Sequence, residues 1–139
     1  MSKPSSVREL VADLENVTHV VMLASKIGAK LFESDPLPAG KYNDLIVDNF
    51  IASLVEAAQK TGMKWNVMYY SSSEVFWSQK SSSDIIDSSS TFRFDMDSPR
   101  SVYSFVKMKA ELVLQSLCKS GFAVSALKTV YPFNVVGKH

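Results

Sequence analysis

The stretch Ser101-Val102-Tyr103-Ser104-Phe105-Val106-Lys107-Met108-Lys109-Ala110-Glu111-Leu112 decides how the rest of the chain is read. Val102, Phe105, Val106, Leu112 and Val113 recur at helical intervals, so the stretch is expected to be a helix. Ser98 offers an N-cap, and Pro99 suits a helix start but not an interior. Gly121 closes the helix, and Phe105, Leu112, Val113, Ser116 and Leu117 are expected to form its apolar face. Tyr103 and Lys107 are one turn apart and share a face. An ammonium beside a phenol favours the phenolate and lowers the phenol pKa. Such a phenol can take a proton from a hydroxyl and return it. The plain alternative is a tyrosine and a lysine on a helix surface with no role.

The flanks bear on that choice. Upstream, Trp65-Asn66-Val67-Met68-Tyr69-Tyr70 reads as a strand that ends in Ser71-Ser72-Ser73-Glu74-Val75-Phe76. In open parallel sheets the chemistry gathers beyond the carboxyl ends of the strands, where these hydroxyls would stand. The alternative for Ser71 to Ser73 is a polar turn. Downstream, Phe122-Ala123-Val124-Ser125-Ala126-Leu127 reads as another strand, followed by Thr129-Val130-Tyr131-Pro132-Phe133-Asn134-Val135-Val136-Gly137. Nearer the N-terminus, Thr18-His19-Val20-Val21-Met22-Leu23-Ala24 is apolar and β-branched, as expected of a strand buried on both faces.

Between these strands, residues 41–61 form a helical pattern with Ile46, Phe50, Leu54, Val55 and Ala58 on one face and Gly62 as its stop. Gly28, Pro36, Pro38 and Gly40 mark residues 25–40 as a loop. Residues 7–14 read as a short amphipathic helix ended by Asn16. The serine-rich stretch 77–99 reads as a flexible loop. The expected core is three parallel strands at 18–24, 65–71 and 122–128, with helices at 42–61 and 101–119 packed on them.

A strand, a hydroxyl-rich strand end, a Tyr-x-x-x-Lys helix, a further strand and Pro-Phe-Asn-x-x-Gly, in this order, resemble the extended short-chain dehydrogenase/reductase superfamily. Within it they look like the NAD-dependent nucleotide-sugar epimerase/dehydratase group. The resemblance runs from about Val17 to Gly137. It implies an α/β fold, a three-layer Rossmann-like parallel sheet in truncated form, with residues 1–139 as the catalytic half of an NAD(P)-binding domain. It implies that Tyr103 exchanges the proton, Lys107 tunes Tyr103 and bonds the nicotinamide ribose, and Ser72 bonds the reacting oxygen. Glu74 falls where dehydratases and decarboxylases of the group carry an acidic base. For NAD or NADP the resemblance points to Leu23, Ala24, Ser25, Asn49, Tyr70, Ser71, Lys107, Tyr131 and Pro132. For a nucleotide-sugar it points to Ser73, Phe133 and Asn134. Leu23-Ala24-Ser25 resembles the family's His-Leu-Ala-Ala element, with Met22 in place of its His and Ser25 in place of its second Ala. An Asn in the position of Asn49 holds the active-site backbone in relatives. A partly exposed polar residue is the alternative reading.

Departures from the pattern matter as well. Glycines stand only at 28, 40, 62, 121 and 137, so no Gly-x-x-Gly-x-x-Gly exists to cradle a pyrophosphate. The acidic residue that would hold the adenosine ribose is missing with it, and so is the family's C-terminal substrate region. The chain is therefore expected to be a fragment, a split-gene product or a degenerate paralogue. It is expected to bind NAD(P) weakly or not at all and to have little turnover by itself. The second reading is a Rossmann-like remnant acting as a binding or regulatory module. An open sheet edge would invite a homo-oligomer or a complementing chain.

The remaining composition excludes more than it assigns. The 139 residues suit one domain, and 46% hydrophobic with 21% charged residues is ordinary for a globular protein. A net charge of +1 gives no general attraction to nucleic acid or to acidic membranes. The polar N-terminus lacks a signal peptide's apolar core, and no apolar run is long enough to cross a bilayer. The single Cys118 excludes an internal disulfide and fits a reducing, cytoplasmic setting. Cys118 sits in an apolar helical pattern and is expected in the core. No Cys/His pattern for a metal exists, and His19 and His139 have no partner for triad chemistry.

Overall fold

A computed structural model of the chain describes residues 9, 13–14, 16–26, 32, 34–76, 97–98 and 100–132. Three strands, β1 (His19–Met22), β2 (Trp65–Tyr70) and β3 (Val124–Val130), form one sheet in the order β1-β2-β3. Both pairings are parallel, with Val20 opposite Val67 and Val67 opposite Leu127. Helix α1 (Pro36–Thr61) connects β1 to β2, and helix α2 (Ser101–Ser120) leads into β3. This is the parallel α/β arrangement of a truncated Rossmann-like fold.

Strand β2 shows the layering. Trp65, Val67 and Tyr69 are buried, whereas Asn66, Met68 and Tyr70 on the opposite face are half-buried. The buried side packs with Met22, Val124 and the inward residues of both helices: Phe50, Leu54 and Ala57 from α1, and Val106, Ala110 and Leu114 from α2. Both helices therefore cover one face of the sheet. The described residues supply two of the three layers of a Rossmann-like fold. A parallel strand forms only because a helix returns the chain across a face, so the apolar stripe of each helix becomes core.

Beyond β1, which is not buried on both faces, with Val21 52% exposed, three expectations need correcting. Residues 36–40, expected in a loop, are the first turns of α1. Pro36 and Pro38 lie where helix N–H groups have no acceptor, so missing donors cost little. Gly40 serves contact, not flexibility: a Cβ there would lie 2.3 Å from Val102 Cγ1 on α2. Only a tertiary contact could reveal that.

The buried face of α2 is the second correction. It carries Ser104, Val106, Lys107, Ala110, Glu111 and Leu114, while Phe105 and Leu112 are 51% and 54% exposed. Apolar residues occur on both sides of this helix, and the polar trio faces the sheet. Third, Ser98 is not the N-cap, which falls at Arg100. Ser98 acts one step earlier: its Oγ accepts the Arg100 N–H at 3.3 Å and its carbonyl accepts the Ser101 N–H at 3.0 Å. Both helices end as expected, on Gly62 and Gly121 in the left-handed conformation.

Cys118 is half-buried and packs against the core from its edge. Most of the expected helix at 7–14 and most of the stretch 77–99 lie outside the described residues. No helix among the described residues is long and apolar enough to cross a membrane.

Candidate active site

The carboxyl ends of β1, β2 and β3 meet the N-terminal half of α2, because α2 runs antiparallel to the strands it covers. Ser104 fastens that junction. Its Oγ donates to the Glu74 carbonyl at 3.0 Å, tying α2 to the 3-10 turn Ser73–Phe76 that follows β2.

Tyr103 lies one residue before this tie, and the Ser25 and Ser72 side chains stand near enough to its hydroxyl to influence its proton. Its ring packs against Phe32, with centroids 5.1 Å apart. Burial raises the phenol pKa above its ordinary value, Ser25 and Ser72 act against the rise, and Glu74 adds to it. Desolvation of the phenolate is the largest cause. The Lys107 ammonium stands 5.8 Å from the ring centroid, over its face. In this state Tyr103 is an acid holding its proton.

Lys107 is buried, and its Nζ donates to the Tyr70 carbonyl at 2.8 Å. The ammonium also stands 5.2 Å from the Tyr69 ring centroid. Burial pulls its pKa down to about 8, and the charge of Glu111 acts against the fall. Lys107 thus stays mostly charged at neutral pH.

Ser72 has a second duty. Its Oγ accepts the Glu74 N–H at 3.2 Å, so it caps the turn as well as meeting Tyr103. The polar-turn reading of the serines describes this residue. Ser73, half-buried, begins the turn. Glu74 pairs through Oε1 with Arg100 Nη1 at 3.2 Å, and its buried Oε2 has no hydrogen-bond partner among the described residues.

The first strand's end supplies the other wall. Leu23 and Ala24 are exposed and Ser25 is half-buried. A cleft of about 330 Å³ is lined by Ala24, Ser25, Lys26, Tyr42 and Ile46. The short side chains of Ala24 and Ser25 let a flat ligand approach the backbone here. Asn43 holds this wall. Its Oδ1 accepts the Lys26 N–H at 2.6 Å and the Ser25 hydroxyl at 3.2 Å, and its Nδ2 donates to the Lys26 carbonyl at 2.9 Å. Asn49 lies half-buried farther along α1, where its carbonyl accepts the Ser53 hydroxyl. Sequence reading missed Asn43 because a loop was expected to run almost to it.

Tyr131 and Pro132 follow β3. The Tyr131 hydroxyl donates to Glu111 Oε2 at 2.6 Å, and its ring meets Phe76 edge-on, with centroids 5.0 Å apart. Ser71 Oγ donates to Glu111 Oε1. Phe133 and Asn134 lie outside the described residues. Among the described residues no cluster of metal-ligating side chains occurs.

With this geometry in hand, the comparisons can be weighed. The family model described as "NAD dependent epimerase/dehydratase family" matches residues 1–139. The chain belongs to the NAD dependent epimerase/dehydratase family. A search of curated proteins gives no significant match. Among solved structures, this epimerase/dehydratase chain resembles RMD from Pseudomonas aeruginosa complexed with NADPH, with TM-score 0.62 and 20% identity over 84% of this chain and 36% of that one. It resembles L-threonine dehydrogenase from Phytophthora infestans, with TM-score 0.64 and 21% identity over 91% of this chain and 36% of that one. It also resembles the UDP-Glc/GlcNAc 4-epimerase from Campylobacter jejuni, with TM-score 0.59 and 19% identity over 84% and 32%. At these identities the likeness concerns the fold. The chain spans about a third of the length of these structures.

Proposed function

We propose that the chain carries the catalytic segment of an NAD(P)-dependent epimerase or dehydratase acting on a nucleotide-sugar, as an isomerase, lyase or oxidoreductase. The observation that carries this reading is the meeting of the Tyr103 phenol with the Ser72 and Ser25 hydroxyls beside the Lys107 ammonium, at the carboxyl end of a parallel sheet. Tyr103 Oη holds the proton that passes between the enzyme and a sugar hydroxyl. Ser72 donates to the reacting sugar oxygen and keeps it within reach of that phenol. Glu74 is the second proton carrier, its Oε2 without a partner among the described residues and its Oε1 paired with Arg100.

The residues present fit the nicotinamide end of a dinucleotide. Lys107 is a buried cation held toward the strand ends, and the Leu23–Ser25 backbone borders the cleft with small side chains. Lys107 would hold the ribose hydroxyls, and Ala24 and Ser25 would lie along the ring. When bound, the cofactor supplies hydride transfer; the chain supplies orientation and the proton path.

The test is side-chain and backbone NMR of the full chain with NAD or NADP at millimolar concentration. Binding is expected to be weak, because the sequence lacks a glycine-rich phosphate loop. Shifts are expected at Ser25, Tyr103 and Lys107, lost in Lys107→Met and retained in Tyr103→Phe. Shifts confined to other residues overturn the reading.

A further inference from the structure

Glu111 is a carboxylate-bearing side chain with 0% exposure, one helical turn beyond Lys107 on the sheet-facing side of α2. Both of its oxygens are bonded, and from different strands. Oε1 accepts from Ser71, the residue after β2, and Oε2 accepts from Tyr131, the residue after β3. Tyr131 in turn rests on Phe76, the last residue of the turn that carries Glu74. One side chain thus joins α2, both strand ends and that turn.

Such an arrangement is not needed for packing. Burying a carboxylate is costly unless it is bonded and countered, and an apolar side chain of similar size would fill the space. A carboxylate adds two charge-assisted bonds with fixed direction and a field at the neighbouring ammonium. The Tyr70 carbonyl that accepts Lys107 is joined by a peptide bond to Ser71, which Glu111 holds.

We propose that Glu111 is a positioning residue of the Tyr103–Lys107 site. It clamps the ends of β2 and β3 to α2, sets the Tyr70 carbonyl beneath Lys107, and holds the Tyr131–Pro132 segment at the site's rim. The groups facing Lys107 are the Tyr69 ring and Tyr70 carbonyl from β2, and Tyr103 and Glu111 from α2 itself. Among them Glu111 is the source of negative charge. Its own pKa is raised by burial, with the Ser71 and Tyr131 bonds and the Lys107 charge acting against the rise. The inference rests on Lys107 being a site residue.

The test is NMR titration of the Lys107 side chain in the full chain, comparing the native sequence with Glu111→Gln and Glu111→Asp. Gln removes the charge while its carbonyl accepts from one hydroxyl and its amide N–H donates to the other, which turns to accept, and the proton affinity of Lys107 should fall about threefold or more. Asp restores the charge and should recover part of that loss. A Lys107 titration that does not move in Glu111→Gln overturns the proposal, whatever happens to the melting temperature. Should Glu111→Gln fail to fold, Tyr131→Phe cuts one arm alone. Shifts should then reach Tyr70, Ser71 and Lys107, and shifts confined to the immediate neighbours of Tyr131 overturn the proposal. None of these readouts uses a dinucleotide, so the Glu111–Lys107 coupling they read succeeds or fails separately from the test of the proposed function.

Discussion

At the amino end of the sheet Trp65, Leu54 and Leu114 are fully buried, and the Trp65 indole N–H donates to the Leu14 carbonyl at 3.0 Å. At the carboxyl end the buried set contains Asn43, Ser71, Ser72, Ser104, Lys107 and Glu111. The same two helices and the same β2 run through both ends. Their amino-end residues exclude water with apolar surface, and their carboxyl-end residues bury polar groups that must find partners. One end stabilises the fold, and the other spends part of that stability on holding charged groups out of water.

The sharpest probe of that contrast is truncation at the apolar end. Trp65→Ala should cost about 3–5 kcal/mol, read by chemical denaturation, because it removes a fully buried side chain and leaves a cavity. Tyr103→Phe at the other end should change stability by less than about 1 kcal/mol. Equal costs for the two would erase the distinction.

The next effect is pH-dependent. Lys107 holds its proton less tightly folded, at about 8, than at its ordinary value of 10.5. Between these values the unfolded chain binds more protons, so stability rises with pH. From about pH 8 to about pH 10 the Lys107 contribution should add about 2 to 3 kcal/mol. Lys107→Met should flatten that rise in denaturation curves taken across the window. A rise unchanged by the substitution would mean that burial of this ammonium costs the carboxyl end little.

A third probe crosses the helix pair. Gly40→Ala should cost about 2 kcal/mol, since its Cβ would overlap Val102 Cγ1. Val102→Ala should recover most of that loss in the double variant. A cost of the same size in both backgrounds would point to strain in the α1 backbone instead. The smallest effect belongs to the surface. Lys109 Nζ reaches Asp44 at 2.6 Å and Asp48 at 3.0 Å across the two helices. Lys109→Ala should cost about 0.5 kcal/mol, less in high salt, because partly exposed ion pairs are screened.

Much of the frame was legible because short β-branched runs and long periodic segments each have one physical solution here. His19–Met22, Trp65–Tyr70 and the turns at Gly62 and Gly121 stand within a few residues of where the pattern puts them. Periodicity misled at α2, where it assigned Phe105 and Leu112 to the core. A hydrophobic pattern reports average burial, and this helix points Ser104, Lys107 and Glu111 inward because each finds a partner there. Asn43 was invisible for a related reason. Its three bonds go to Ser25 and Lys26, more than a dozen residues away in the chain.

Order and spacing of residues by themselves determined the parallel α/β frame and drew Tyr103, Lys107 and Ser72 together, since helical pitch and strand direction follow from local chemistry. The tertiary structure decided which face of α2 is buried, why residue 40 is a glycine and how Glu111 joins two strand ends. It also decided that burial raises the Tyr103 phenol pKa above its ordinary value. Those outcomes depend on the water left around each group after packing, and no local pattern encodes that quantity.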